Sequence, residues 1–232
     1  IPVMRFDFPN LRTLRNCCLA AVAAVLAAGC ATQQPYDYTA FRQSRPASIL
    51  VLPPLNSSPD IAATYSMLSQ VTLPLAESGY YVFPVSLVDE TFRQNGLSNA
   101  AEMHSVTPGK LREIFGADTA LYIEIKSYGT SYVIISSESR VTASARLVDL
   151  RSKQTIWQGS ASASSAEGRS SGGGLVGMLV QAVVSQIVED AVNQSHQVAS
   201  VTSYRLLAAG MPNGILYGPR SPRYQLGANS QP

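Results

Sequence analysis

The chain has 232 residues, 17 of them basic and 15 acidic, a formal net charge of +2 at pH 7 and a hydrophobic content of 46%. The positive excess belongs to the first 29 residues, which hold Arg5, Arg12, Arg15 and Asp7, so the chain from residue 30 keeps 14 charges of each sign. The basicity of the whole chain thus says nothing about nucleic acid, for which a basic stripe on the folded part would be required and none is visible in the sequence, and the apolar content is enough for burial alone to stabilise a core.

Three arginines followed by an apolar segment from Cys17 to Ala28 have the layout of a secretory signal, with Met4 in the place of a natural start behind Ile1 to Val3. The apolar segment is too short for a bilayer span, which takes roughly 20 residues. Leu26-Ala27-Ala28-Gly29-Cys30 resembles the lipobox of bacterial lipoproteins. There, small residues admit the signal peptidase and the cysteine acquires a diacylglycerol and then an N-acyl chain. Ala27 stands where such boxes most often have leucine. The alternative is an ordinary secretory cleavage beside a chance cysteine. Ala31 is not the aspartate of signals that retain a protein in the inner membrane, so the expected location is the outer membrane, lipid-anchored, with the domain in the periplasm. Cys17 and Cys18 leave with the signal and Cys30 is acylated, so no disulfide is expected.

Residues 31–47, with two prolines and no sustained period, read as a tether, although Tyr36, Tyr38 and Phe41 could dock on their own domain. Residues 48–210 are expected to form a single α/β domain. Ser48 to Leu52 is a short apolar run closed by Pro53-Pro54, a buried strand. A turn at Asn56–Asp60 offers Ser58 or Asp60 as a helix cap. Ile61, Tyr65, Leu68, Val71, Leu75 and Ala76 recur at helical spacing, with Pro74 expected to kink or shorten the helix. Gly79 ends it and Tyr80 to Val85 forms a second strand, completing an opening βαβ unit. A helix capped by Ser86 is expected up to Gly96, and another from Thr107, with Pro108 at its first position, to Gly116.

Thr119 to Ser165 alternates, Leu121, Ile123 and Ile125 and later Val141, Ala143, Ala145 and Leu147 pointing to one face, as an antiparallel meander would. Gly129 marks a bend or bulge in it. After a Gly/Ser loop at residues 168–174, a long helix is expected from Leu175 to Val198. Its polar row is Gln181, Ser185, Glu189 and Asn193, while Leu175, Val176, Met178, Leu179, Val183, Val184, Ile187 and Val188 give an unusually wide apolar surface. Helix resumes from Tyr204 to Ala209, and residues 211–232 read as an extended C-terminal arm. The element order predicts an α/β sandwich of two or three layers with a mixed sheet, an opening βαβ unit, an antiparallel meander and a long C-terminal helix.

Ile49-Leu50-Val51-Leu52-Pro53, Gly116-Ala117-Asp118 before a strand, and Asp149 with Ser152, Ile156, Trp157 and Gly159 in a hairpin resemble the domain shared by three envelope proteins. These are the curli-secretion lipoprotein, the lipoprotein activator of penicillin-binding proteins and the amino-terminal domain of the Tol-system propeller protein. Gly214-Ile215-Leu216-Tyr217-Gly218-Pro219 resembles, more narrowly, the Gram-negative outer-membrane lipoproteins of the meningococcal genome-derived antigen type. The resemblance runs from Ser48 onward and is more specific for fold than for function. The membrane hairpins of the curli exporter have no counterpart with the alternation a barrel needs.

Gly172-Gly173-Gly174-Leu175-Val176-Gly177 matches G-x-G-x-x-G, but at the end of the fold and with no strand after it to supply a ribose-binding acid. A flexible loop feeding a closely packed helix accounts for it better. His104 and His196 lie far apart without a cysteine partner in the domain, so no metal site is expected, and surface or capping roles are their default. No serine sits in G-x-S-x-G, and Glu189-Asp190 point different ways on a helix. No cofactor is expected apart from the acyl chains on Cys30. The reading is a non-enzymatic binding or assembly module for envelope or secretion proteins. It is a homodimer or larger assembly built on Leu175, Met178, Leu179, Val183, Val184, Ile187 and Val188 or on the C-terminal arm. The alternatives are a surface-exposed antigen contacting host or matrix, or a small-ligand or nucleotide-binding domain.

Overall fold

Ahead of the first strand lies a short helix, Thr39–Ser44 (α1), whose Phe41 is buried together with the preceding Tyr38. The computed structural model to which it belongs describes residues 36–133, 136–167 and 191–224. All of these except Tyr36 belong to a compact unit that begins at Asp37. Tyr38 and Phe41 of the expected tether are therefore part of the core, tied down by the Tyr38 hydroxyl donating to the Gly214 carbonyl at 2.5 Å.

Ser48–Val51 (β1) is a continuous apolar run because Ile49, Leu50 and Val51 are covered on both faces. The short strand Leu55–Asn56 (β2), helix Ala63–Glu77 (α2) and strand Tyr81–Val82 (β3) follow. β1 and β3 are parallel, which makes β1-α2-β3 the expected opening unit. Pro74 does not shorten α2. It sits in the last turn, which continues to Glu77 and closes when Ser78 N–H and Oγ both donate to the Pro74 carbonyl.

Three helices come next: Val85–Gln94 (α3), Ala100–Ser105 (α4) and Pro108–Phe115 (α5). α3 starts one residue before the expected cap, Ser86, and has no side-chain cap. The fixed φ of Pro84 pre-sets the chain there instead. α4, capped by Asn99 accepting from Glu102 N, was not read from the sequence. α5 begins as expected, with Thr107 as cap and Pro108 at its first position, and ends at Gly116 with φ +68°.

Thr119–Ser127 (β4) pairs in parallel with β1 and β2, and antiparallel with Ser136–Asp149 (β6). A bulge between Ile125 and Ser127 and the bend at Gly129, φ +116°, separate β4 from Thr130–Val133 (β5), which continues along the same edge of β6. Thr155–Ser164 (β7) lines the other edge. The described sheet is mixed, ordered β3-β1-β4-β6 with β7 outermost. Leu50, Leu52, Ala120, Tyr122 and Val148 pack on one face with Val88, Phe92, Met103 and Leu111 of α3, α4 and α5.

Because strand side chains alternate, Ile49, Val51, Leu121, Ile123 and Ile125 face the other way. On that side α2 packs with Ala191–Leu207 (α6), which also lies over β6 and β7. The result is a three-layer α/β fold. α6 runs unbroken through residues 199–203, between the two stretches expected to be helical. The apolar candidates Leu175 to Val188, the Gly/Ser loop and the lipobox Leu26 to Cys30 lie outside the described residues.

Candidate functional site

β1, β3 and β4 all begin at one end of the sheet, where the residues that carried the resemblance converge. Asp118 accepts from Ala47 N, Ser48 N and Ser48 Oγ at 3.0 to 3.1 Å, while its own N–H donates to Ser48 Oγ. Asp149, buried at the end of β6, accepts from Arg151 N and Ser152 N at 2.8 Å and from Ser44 Oγ at 2.5 Å. Burial alone would raise the Asp149 pKa; the Ser44 hydroxyl, the two amides and the Arg151 charge outweigh it and hold the carboxyl below the usual range. Arg151 bridges the two clusters, reaching the Ser44 carbonyl at 3.4 Å and Asp118 at 3.7 Å.

Trp157 is fully buried and its indole N–H donates to the Asn213 carbonyl at 3.0 Å. Gly159 leaves room for it: a Cβ there would lie 2.6 Å from Trp157 Cζ2. The tail Gly214-Ile215-Leu216-Tyr217-Gly218 is a strap across this end. Ile215 is buried, the Leu216 carbonyl accepts from Tyr80 Oη at 2.6 Å, and Gly218 N–H donates to the Ser78 carbonyl at 2.8 Å. Gly218 passes so close to Gly79 that a Cβ would meet its carbonyl oxygen at 2.5 Å.

The two histidines lie towards the opposite end. Their sequence spacing gave no hint of their partners, which come from tertiary packing. His104 Nε2 is 2.9 Å from the Pro53 carbonyl, and since a carbonyl can only accept, that nitrogen carries the proton. Its ring meets Tyr122 edge to face at 5.2 Å, and burial pushes its pKa down. Arg146 lies over the other ring, 4.1 Å from the Tyr122 centroid. His196, on α6, joins α2: Gln70 Nε2 donates to its Nε2 at 2.6 Å, which leaves the proton on Nδ1, 2.7 Å from Ser66 Oγ. Ser66 is in turn 2.5 Å from the Tyr128 hydroxyl. In this tautomer the nitrogen facing Ser66 already holds a proton, so it cannot act as a base towards that serine. Surface or capping roles were the default expected of both histidines; each is instead part-buried and hydrogen-bonded between elements.

Among the described residues no group of three or more His, Cys, Asp or Glu side chains could hold a metal. No described helix is long and apolar enough to cross a membrane.

Comparison with known proteins accords with this architecture. The chain is 50% identical over 202 residues to a Neisseria meningitidis serogroup B protein described as "Putative lipoprotein", a match covering 87% of this chain and 94% of the relative. It is similar to the crystal structure of lipoprotein GNA1162 from Neisseria meningitidis at 55% identity and a TM-score of 0.52, over 61% of this chain and 97% of that one. The C-terminal domain of LpoB from Salmonella enterica is also similar, at 16% identity and a TM-score of 0.38, over 51% of this chain and 82% of that one. A family model described as "Putative lipoprotein GNA1162-like" matches residues 36–220, and the chain belongs to that lipoprotein family.

Proposed function

We propose that this protein is an outer-membrane lipoprotein, anchored through acyl chains on Cys30, whose periplasmic domain is a non-enzymatic module for envelope assembly or secretion. The observation that carries the reading is how the polar groups of the domain are bonded. Asp118, Asp149 and His104 bond mainly to backbone groups that fix strand ends and loops, and His196 joins two helices. Such groups stabilise a shape that other molecules can recognise. The lipobox and the family of lipoproteins support the anchor.

Self-association through Leu175, Met178, Leu179, Val183, Val184, Ile187 and Val188 belongs to the same reading, since a wide apolar helix face is an association surface when no further layer covers it. Crosslinking in intact cells, followed by identification of the captured protein, tests the module. An envelope or secretion protein should be captured, and capture should fall with Val184→Asp while the fold is retained. A processed protein that is monomeric and captures the same partners with or without Val184→Asp would remove the helix face from the account.

A further inference from the structure

We propose that the end of the domain where β1, β3 and β4 begin lies against the membrane and binds anionic phospholipid headgroups through Arg42, Arg45, Arg151 and Lys153. This rests on the reading of Cys30 as the anchor. Six residues lie between Cys30 and Asp37, seven Cα-to-Cα steps that reach about 25 Å at most when fully extended. The core begins one residue later, because Tyr38 is buried and bonded to Gly214. The anchor thus tethers the domain next to α1, not through the 17-residue leash that the sequence suggested.

The four basic residues share that end and are all exposed. Arg42 and Arg45 line a shallow groove with Thr39 and Gln43. Arg45 closes α1 in the left-handed region, φ +47°. Arg151 touches the Ser44 carbonyl, and Lys153 lies two residues further round the β6–β7 turn, its Cε 4.0 Å from where a Cβ on Gly109 would be. Arg151 is partly offset by Asp118, 3.7 Å away, so Arg42, Arg45 and Lys153 carry most of the outward charge. Asp149 is buried and Asp118 is turned onto the amides of residues 47 and 48, which leaves Asp37 as the exposed acid beside Arg42. A cationic face within a short tether's reach of phosphate headgroups is complementary to an anionic bilayer surface, and the tether raises its local concentration there.

The test uses the chain from residue 30 with Cys30→Ser, which cannot be acylated. Its compact unit begins only at Asp37 and is retained whole, and circular dichroism of this protein checks that it is folded before flotation. It is floated with vesicles of phosphatidylethanolamine and phosphatidylglycerol, and with phosphatidylcholine vesicles as the neutral arm. Each basic residue near an anionic surface contributes about fivefold to partition, so Arg42→Gln with Lys153→Gln should weaken binding to the anionic vesicles about 25-fold. Neither side chain has an ion pair among the described residues, so the fold should survive, which circular dichroism checks. Lys126→Gln, at the far end of β4, should change binding less than twofold. High salt should abolish the difference between vesicles. Equal partition onto neutral and anionic vesicles, no binding to either, or an unchanged double variant would overturn the proposal. The anchor is checked separately by the mass of the Cys30 peptide from the native protein, so either reading can fail without the other.

Discussion

Replacing Gly159 with alanine tests whether the family-like hairpin is shaped around its tryptophan. Gly159 faces Ala145 across the β6–β7 ladder, two residues from Trp157 on the same strand face. An added Cβ would stand 2.6 Å from Cζ2 and 2.9 Å from Cη2 of the buried indole. Ordinary carbon contacts need roughly 3.5 Å, and Trp157 cannot retreat without stretching its 3.0 Å bond to Asn213. Overpacking of this kind costs about 1 to 3 kcal/mol, or a fall in Tm of about 2 to 4 °C per kcal/mol for a domain this size. The informative comparison is with Trp157→Phe, which removes the two indole atoms that clash. Alone it should cost about 2 to 3 kcal/mol, through the cavity and the lost hydrogen bond. Urea unfolding followed by far-ultraviolet circular dichroism, which needs no tryptophan, gives all four corners of the cycle. The double variant should be about as stable as Trp157→Phe alone, a coupling of about 1 to 3 kcal/mol, the whole cost of Gly159→Ala. Gly96→Ala, at φ +81° with nothing within 4 Å, is the control, because its strain should add to Trp157→Phe in full. Strictly additive costs for Gly159→Ala and Trp157→Phe would refute the packing argument.

Gly218→Ala should destabilise the domain by about 2 kcal/mol and expose the strap to proteolysis, since the Cβ meets the Gly79 carbonyl, a backbone atom that cannot rotate away; limited digestion with mass mapping reads this. Asp149 has a folded pKa below its unfolded value, so its contribution is complete above the unfolded pKa, near 4, and is lost as pH falls through the folded one. Asp149→Asn should therefore lower stability at neutral pH and flatten the acid limb of the pH–stability curve; parallel curves for the two proteins would refute the assignment. Cys30→Ser should release the protein from membranes and abolish fatty-acid labelling in cells, which fractionation and a radiolabelled acyl donor measure.

The strands that alternate or run apolar without interruption were legible in the sequence because burial imposes period and composition directly: β1, β4, β6 and β7 lie where Ile49, Leu121, Ala143 and Trp157 pointed. So did α5, whose Thr107-Pro108 start and Gly116 stop are local signals. α4 was missed because six residues carry no full amphipathic period, and β2 because two residues of pairing leave no pattern at all. α1 lies within residues 31–47, whose two prolines and polar residues outweigh three aromatics and read as a tether; what orders it is long-range, Tyr38 to Gly214 and Ser44 to Asp149. The histidine networks share that cause. His196 meets Ser66 and Gln70 only because α6 packs on α2, a contact across more than 120 residues of chain.

The motifs that carried the family resemblance belong to one task. Asp118 fixes the start of β1, Asp149 fixes the β6–β7 turn and α1, Trp157 and Gly159 form the hairpin floor, and Gly214 to Gly218 strap that end closed. A signature made of backbone-pinning residues transmits architecture, and so it identifies the fold while leaving the chemistry of recognition unspecified. What distinguishes one such lipoprotein from another must then reside in side chains this framework does not use. Arg42, Arg45 and Lys153 are of that kind. Substitutions there should change what the domain binds at little cost in stability, whereas substitutions in the signature should do the reverse.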